Sequence, residues 1–288
     1  MPPLSDDAVR EFHSLGYTLV KGFYTPDEIA LLSRAAKEDR ELDKRSFGRA
    51  DGEGGVVRLS LWNHPGDGIY GMFARCERMV RSCEKLLGGE VYHYHSKMIL
   101  KDAKIGGAWA WHQDYGYWYQ NGVLQPLLVS AFIAVDPSTM QNGCLQVVAR
   151  SHECGRIHHT LTGEQAGADR ERVEELLKRP EHFPLVHVEM DPGDALFFHA
   201  NLLHRSDQNS SENPRWSMIC CYNAARNNPY KESHHPRYTP LNVVPDDAIL
   251  RVGIKRFADS GNVAWLDDNK DRSARVLEAP LSPTDNFR

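Results

Sequence analysis

The segment Trp111-His112-Gln113-Asp114-Tyr115 places an imidazole and a carboxylate two residues apart. On an extended strand such residues point to the same face, where both can grip one metal ion. A second histidine from later in the chain would complete a face of two imidazoles and one carboxylate, with coordination positions left open for substrates. That donor set is the one used by non-haem Fe(II) oxygenases.

The chain has 14 histidines, so the third ligand needs a reason. Asp191-Pro192-Gly193-Asp194 reads as a turn feeding a strand, and His199 and His204 both follow. His199 lies within the apolar run, beside Phe198, where packing explains it. His204 comes just after the run, and Arg215 follows it by eleven positions. A guanidinium there could form a bidentate pair with a carboxylate near the metal, so His204 is preferred. Aromatic residues crowd the His112/Asp114 pair: Trp109, Trp111, Tyr115, Tyr117, Trp118 and Tyr119. An apolar shell strengthens the field of a polar pair and limits water.

The elements that must hold these residues are legible in part. Ser5-Asp6-Asp7 can cap a helix through Val9, Phe12 and Leu15, ended by Gly16, with a strand at 17–20. Thr25-Pro26 opens a second helix towards Arg40. Residues 46–68 read as a loop with a short strand at Val56–Leu61, and Gly71–Leu87 reads as one helix. From Val91 the pattern becomes short β runs between turns: 91–100, 127–135, 143–148, 185–189, 195–199 and 216–222, with a helical insert at 169–178. Cys220 and Cys221 should face opposite sides of their strand. Many short strands at regular spacing predict a mainly β fold, a sandwich or closed barrel, with helices packed on it. The simplest reading is one domain over 1–288: a helical N-terminal support over 5–88, a core over about 90–225, and a C-terminal extension over 240–288 whose last ten residues are loosely held.

Composition sets bounds. The 288 residues are 41% hydrophobic and 25% charged, as in ordinary globular proteins. A net charge of −5 argues against a nucleic-acid partner. There is no apolar run long enough for a membrane span, and the first residues do not resemble a signal peptide. The six cysteines form no CxxC pair and read as reduced thiols of a cytoplasmic protein. A homodimer is left open.

The residues above resemble the phytanoyl-CoA dioxygenase (PhyH) family of Fe(II)/2-oxoglutarate oxygenases, closest in style to bacterial small-molecule hydroxylases such as ectoine hydroxylase. The resemblance spans roughly residues 8–225. It rests on His112, Asp114, His204 and Arg215, and on Asn142-Gly143-Cys144-Leu145, Ser151-His152 and Pro192-Gly193-Asp194. The opening Phe12-x-x-x-Gly16-Tyr17 with Val20-x-Gly22-Phe23 also fits. It implies a double-stranded β-helix (a cupin-like jelly roll) with Fe(II) as cofactor and 2-oxoglutarate and O2 as cosubstrates. Arg215 would bind the distal carboxylate of 2-oxoglutarate, with Ser206 and Lys97 as neighbours of the cosubstrate. Ile99 stands where ectoine hydroxylase has Asn, so the cosubstrate's hydrogen-bond set is not fully carried over. Asp114 favours hydroxylation over halogenation, which needs a small residue at that place. No catalytic residue is expected beyond the metal centre.

For the substrate, the aromatic run suggests a cage for an ammonium group, with Trp109, Tyr115 and Trp118 as contacts, or simply an apolar shell. His95 and the polar, basic stretch 230–238, through Arg237, could meet an anionic group. A small zwitterionic or aminophosphonate-type metabolite is the expectation, with an acyl-CoA as the alternative. A non-redox, cupin-like metal protein is the other class, but it leaves Arg215 without a task.

Overall fold

The computed structural model describes residues 2–255, 263–271, 274 and 277. The predicted first helix is Asp6–Leu15 (α1): the Ser5 hydroxyl accepts from the Ala8 N–H, and Gly16 closes the helix at φ 85°. Tyr17–Val20 (β1) follows. The second helix, Pro26–Glu38 (α2), starts with a capping box between Thr25 and Glu28. It stops short of Arg40 because Asp39 turns out of the helix and caps another, Arg40–Lys44 (α3), accepting from the Glu41 and Leu42 N–H groups.

The loop over 46–68 holds a hairpin, Phe47–Ala50 (β2) with Val56–Trp62 (β3). The single helix expected over 71–87 is two, Ile69–Arg75 (α4) and Glu77–Leu87 (α5). Cys76 between them is extended and pairs with Val244. Val91–Lys101 (β4), Trp109–His112 (β5), a one-turn helix Tyr115–Trp118 (α6), Leu128–Ala134 (β6) and Leu145–Val148 (β7) lead into the hairpin His159–Thr162 (β8) and Gln165–Ala168 (β9). Arg170–Leu177 (α7) is the expected insert. Leu185–Val188 (β10), Ala195–His199 (β11), His204–Ser206 (β12), Arg215–Ala224 (β13) and Ala248–Lys255 (α8) complete the elements. The sequence reading missed β2, β8, β9, β12, α3, α6 and α8, most of them four residues or fewer, and gave the strand at His112 no bounds. The last ten residues lie outside the described part.

Two antiparallel sheets form the sandwich. The larger has the order β1-β11-β6-β13-β4-β3-β2, the smaller β10-β7-β12-β5, and β8-β9 forms a separate hairpin. Facing side chains such as Ile99, Phe132 and Ile219 from the large sheet and Leu145, Val147 and Val188 from the small one share one core. The outer face of the large sheet, with Met98, Ile133, Phe197 and Met218, is covered by α1, α2, α4 and α5. A sheet buried on both faces reads as continuous apolar runs rather than alternation, which is why these central strands were found. Each fully buried Ile or Phe contributes about 1.5–3 kcal/mol. Cys220 joins the outer core and Cys221 the inner one, on opposite faces as expected.

Candidate metal centre

Register brings the two histidines together. In the small sheet His204 of β12 lies directly opposite His112, the last residue of β5. Their ring centroids are 4.1 Å apart. Each ring is anchored from behind: His112 Nδ1 is 2.8 Å from the Ala110 carbonyl and His204 Nδ1 2.9 Å from that of Leu202. A carbonyl can only accept, so each Nδ1 carries the proton and each Nε2 offers a lone pair. Burial pushes both imidazoles below their ordinary pKa; the neighbouring His204 adds to this for His112, while Asp114 opposes it for His204. They stay neutral, as ligands must be.

Asp114 reaches the same point by another route. The strand ends at His112, and Asp114 is already helical (φ −56°, ψ −47°), opening α6. The expected strand alternation is therefore not what aligns the pair; a turn does it. Across the sandwich, Ser130 of β6 donates to Asp114 Oδ2 at 2.8 Å. Oδ1 lies 3.8 Å from His112 Nε2 and is a buried oxygen without a partner. The donor atoms of His112, Asp114 and His204 all lie within 4.8 Å of one another, and all three residues are buried. A buried, half-satisfied carboxylate is costly alone, and a divalent cation beside two imidazole lone pairs removes the cost. The chemistry of the donor set fits Fe(II).

Gln113 fixes this corner. Its Nε2 donates to the Gly155 and Asn201 carbonyls, its Oε1 accepts from the Ile157 N–H, and its own N–H donates to His159 Nε2. Gly116 leaves space for the His159 ring, which a Cβ would strike. His199 is elsewhere: its Nδ1 accepts from the Asn201 N–H and its ring packs near Phe12 and His152.

A small cavity beside the histidines is lined by Arg215, Ser206, Lys97 and Ile99. Arg215 is 2% exposed, and its Nε and Nη1 have no partners among the described residues. Burial pushes its pKa down to about 10, with Cys144 opposing. A buried guanidinium with unpaired N–H groups invites a bidentate carboxylate. Directly across the strands from Arg215 sits Lys101, fully buried, which the sequence reading missed. Its ammonium donates to Ser206 Oγ at 2.9 Å and to the Asp207 carbonyl. A lysine closing the apolar run Met98-Ile99-Leu100, four on from Lys97 and so on the same face, was the available signal.

A second small cavity shares Lys97 and Trp109 with the first and adds His95, Trp118, Tyr117 and His235. Arg49 and Asp271 line it too, paired at 2.9 Å. Three expected substrate contacts, Trp109, Trp118 and His95, are therefore placed at a cavity, and two are not. The Tyr115 hydroxyl donates to the Val123 carbonyl and its ring packs near Tyr119, away from either cavity. Arg237 donates to the Pro229 carbonyl and pairs with Glu232 at the surface, spent on its own loop. From that polar loop it is His235, not Arg237, that turns inward.

Comparison with known proteins agrees with this arrangement. The phytanoyl-CoA dioxygenase (PhyH) family profile matches residues 12–217. The chain is similar to L-proline trans-4-hydroxylase of Streptomyces griseoviridis (31% identical over 204 residues, 66% of this chain and 75% of that one). It is similar to methylphosphonate hydroxylase of Gimesia maris (30% over 159 residues, 54% and 55%). Its fold matches a crystal structure of EctD from S. alaskensis with 2-oxoglutarate and 5-hydroxyectoine (TM-score 0.66, 23% identity, 85% and 89% covered). No described helix is long and apolar enough to cross a membrane. A buried face of two imidazoles and a carboxylate, the jelly roll that carries it and the family match over most of the chain lead to one conclusion: this chain belongs to the phytanoyl-CoA dioxygenase family and is an Fe(II)- and 2-oxoglutarate-dependent dioxygenase.

Proposed function

We propose that this dioxygenase, acting as one unit over residues 1–288 in the cytoplasm, hydroxylates an aliphatic C–H bond of a small zwitterionic amine or aminophosphonate. Succinate and CO2 are the coproducts. The observation that carries the reading is the pair of cavities meeting at Lys97 and Trp109 beside the ligand triad: one ends in a buried guanidinium, the other in imidazoles and indoles. Walls of this kind suit a small polar molecule better than a long acyl chain, and relatives are named for proline and methylphosphonate hydroxylation.

In this reading His112, Asp114 and His204 hold the iron. Bound there, iron supplies the oxidation that couples 2-oxoglutarate decarboxylation to hydroxylation. The chain's own work is placement. Arg215 pairs with the distal carboxylate of 2-oxoglutarate. Ser206, oriented by Lys101, donates a hydrogen bond to the same group. Lys97 sits between cosubstrate and substrate. Trp109, Tyr117 and Trp118 exclude water and hold the target carbon beside the metal. The test is succinate release from a panel of amines, amino acids and aminophosphonates, with Arg215→Met alongside. One polar metabolite should raise succinate well above the uncoupled level, and Arg215→Met should raise the KM for 2-oxoglutarate about 100-fold or more, in line with roughly 3 kcal/mol for a lost buried charge pair. An unchanged KM refutes the cosubstrate assignment.

A further inference from the structure

Deep in the substrate cavity, His95 and His235 stack face to face, with ring centroids 4.5 Å apart and planes 15° apart. Each is 3% exposed. His95 Nδ1 and His235 Nε2 are both buried, with no partner among the described residues. An unmet buried polar atom costs about 1–3 kcal/mol, so two side by side in a cavity wall point to a ligand that satisfies them.

The tautomer of His235 is fixed by its neighbours. Asn63 donates from Nδ2 to the His234 carbonyl at 2.6 Å, which turns its amide oxygen towards His235 Nδ1, 2.9 Å away. An amide oxygen only accepts, so His235 Nδ1 carries the proton and Nε2 presents a lone pair to the cavity. Lys97 lies two residues from His95 on the same face of β4 and lines the same cavity. Among the described residues Lys97 forms no ion pair, and its ammonium stands 5.8 Å from the Trp109 ring centroid. The site thus asks for two things at once, a hydrogen-bond donor for His235 and negative charge for Lys97.

Simple head groups divide cleanly on those demands. An ammonium can donate to His235 but is repelled by Lys97. A carboxylate suits Lys97 but brings no proton at neutral pH. A phosphoryl-type group has its second ionisation near pH 6, so it can arrive with one hydroxyl and one charged oxygen. Resting on the hydroxylase reading above, we propose that His95, His235 and Lys97 form a subsite for a tetrahedral oxyanion that holds one proton, the phosphonate or phosphate-ester head of the substrate. The proton sits between an oxygen of that head and His235 Nε2. His95, free to choose its tautomer, donates to a second oxygen, and Lys97 balances the charge. His93, His234, Asp271, Arg49, Tyr117 and Glu164 are the other titratable or charged groups around the pair; Glu164 is at the exposed rim, where its carboxylate accepts from the Ala50 N–H, so the histidines and Lys97 are the groups left to meet the head.

The test is anaerobic calorimetry on the Fe(II)- and 2-oxoglutarate-loaded protein with three probes of similar length: 2-aminoethylphosphonate, O-phosphoethanolamine and 3-aminopropanoate. The phosphonate, the phosphate ester or both should bind at least tenfold more tightly than the carboxylate, and the difference between the first two identifies the source of the head group. This comparison needs no variant. His235→Leu and His95→Gln should each weaken the tetrahedral probe tenfold or more, while the visible charge-transfer band of the metal–2-oxoglutarate complex stays unchanged. Equal or tighter binding of the carboxylate, silence from both tetrahedral probes, or indifference of both variants overturns the subsite. A wild-type protein without that band overturns the dioxygenase reading beneath it instead.

Discussion

Asp114 shows how much of a metal site lies in its supporting residues. The three donors that meet in the fold were legible because their chemistry is written in residue type and spacing: His112 with Asp114, and His204 ahead of Arg215. What orients them was not, because Ser130, Gln113 and Lys101 act through contacts with residues distant in sequence. Ser130→Ala removes the only hydrogen bond to Asp114 Oδ2 among the described residues. Partners of this kind typically change metal affinity 10–100-fold, so Ser130→Ala should weaken Fe(II) binding by about that factor in an equilibrium titration, with the fold intact by circular dichroism. An unaltered titration would show that the carboxylate needs no support. The stretch 230–238 teaches the converse. Composition marked it as a ligand-facing loop, yet which of its side chains turns inward depends on Asn63, far away in the chain.

At the scale of elements, long buried strands and capped helices were found, and short strands were not. β5 and β12 carry two of the three ligands in four and three residues, too few for any periodicity to register. The break at Cys76 was equally hidden, because a β-bridge to Val244 overrides a helical pattern. The tight seat of α6 gives a prediction at this level. A methyl group on Gly116 meets the His159 ring, and overpacking of this kind costs about 1–3 kcal/mol. Gly116→Ala should lower the urea midpoint accordingly and weaken iron binding too, since α6 begins at Asp114. Stability lost without any effect on iron would mean that the turn and the ligand move independently. The Arg49 link to Asp268 and Asp271 ties the segment 263–271 to β2 at the wall of the second cavity. Arg49→Met should therefore raise the substrate KM tenfold or more while leaving 2-oxoglutarate binding unchanged, because it breaks a buried pair with Asp271 as well as a part-exposed one with Asp268.

For the whole molecule, burial of titratable rings sets the acid limit. Burial holds His93 near a pKa of about 3 and His159 near about 4, each opposed by a hydrogen bond to a backbone carbonyl. Unfolded histidines titrate near 6.5, so below that pH the unfolded chain binds more protons. Stability is complete above about pH 6.5 and falls by about 1.4 kcal/mol per pH unit for each such ring as acid is added, down to their folded values. Denaturation midpoints measured from pH 7.5 to 4.5 should be level at first and then drop steeply; a level profile throughout refutes the account. A last consequence follows from where the three donors are rooted. Two belong to the small sheet, and the third is hydrogen-bonded to β6 of the large one, so an ion between them rivets the halves of the protein together. Even a redox-silent substitute such as Zn(II) should then act as a structural clamp: at 100 times its dissociation constant it adds about 2.7 kcal/mol. Deuterium uptake should slow along the seam formed by β5, β12 and β6, while the helical outer layer exchanges as before.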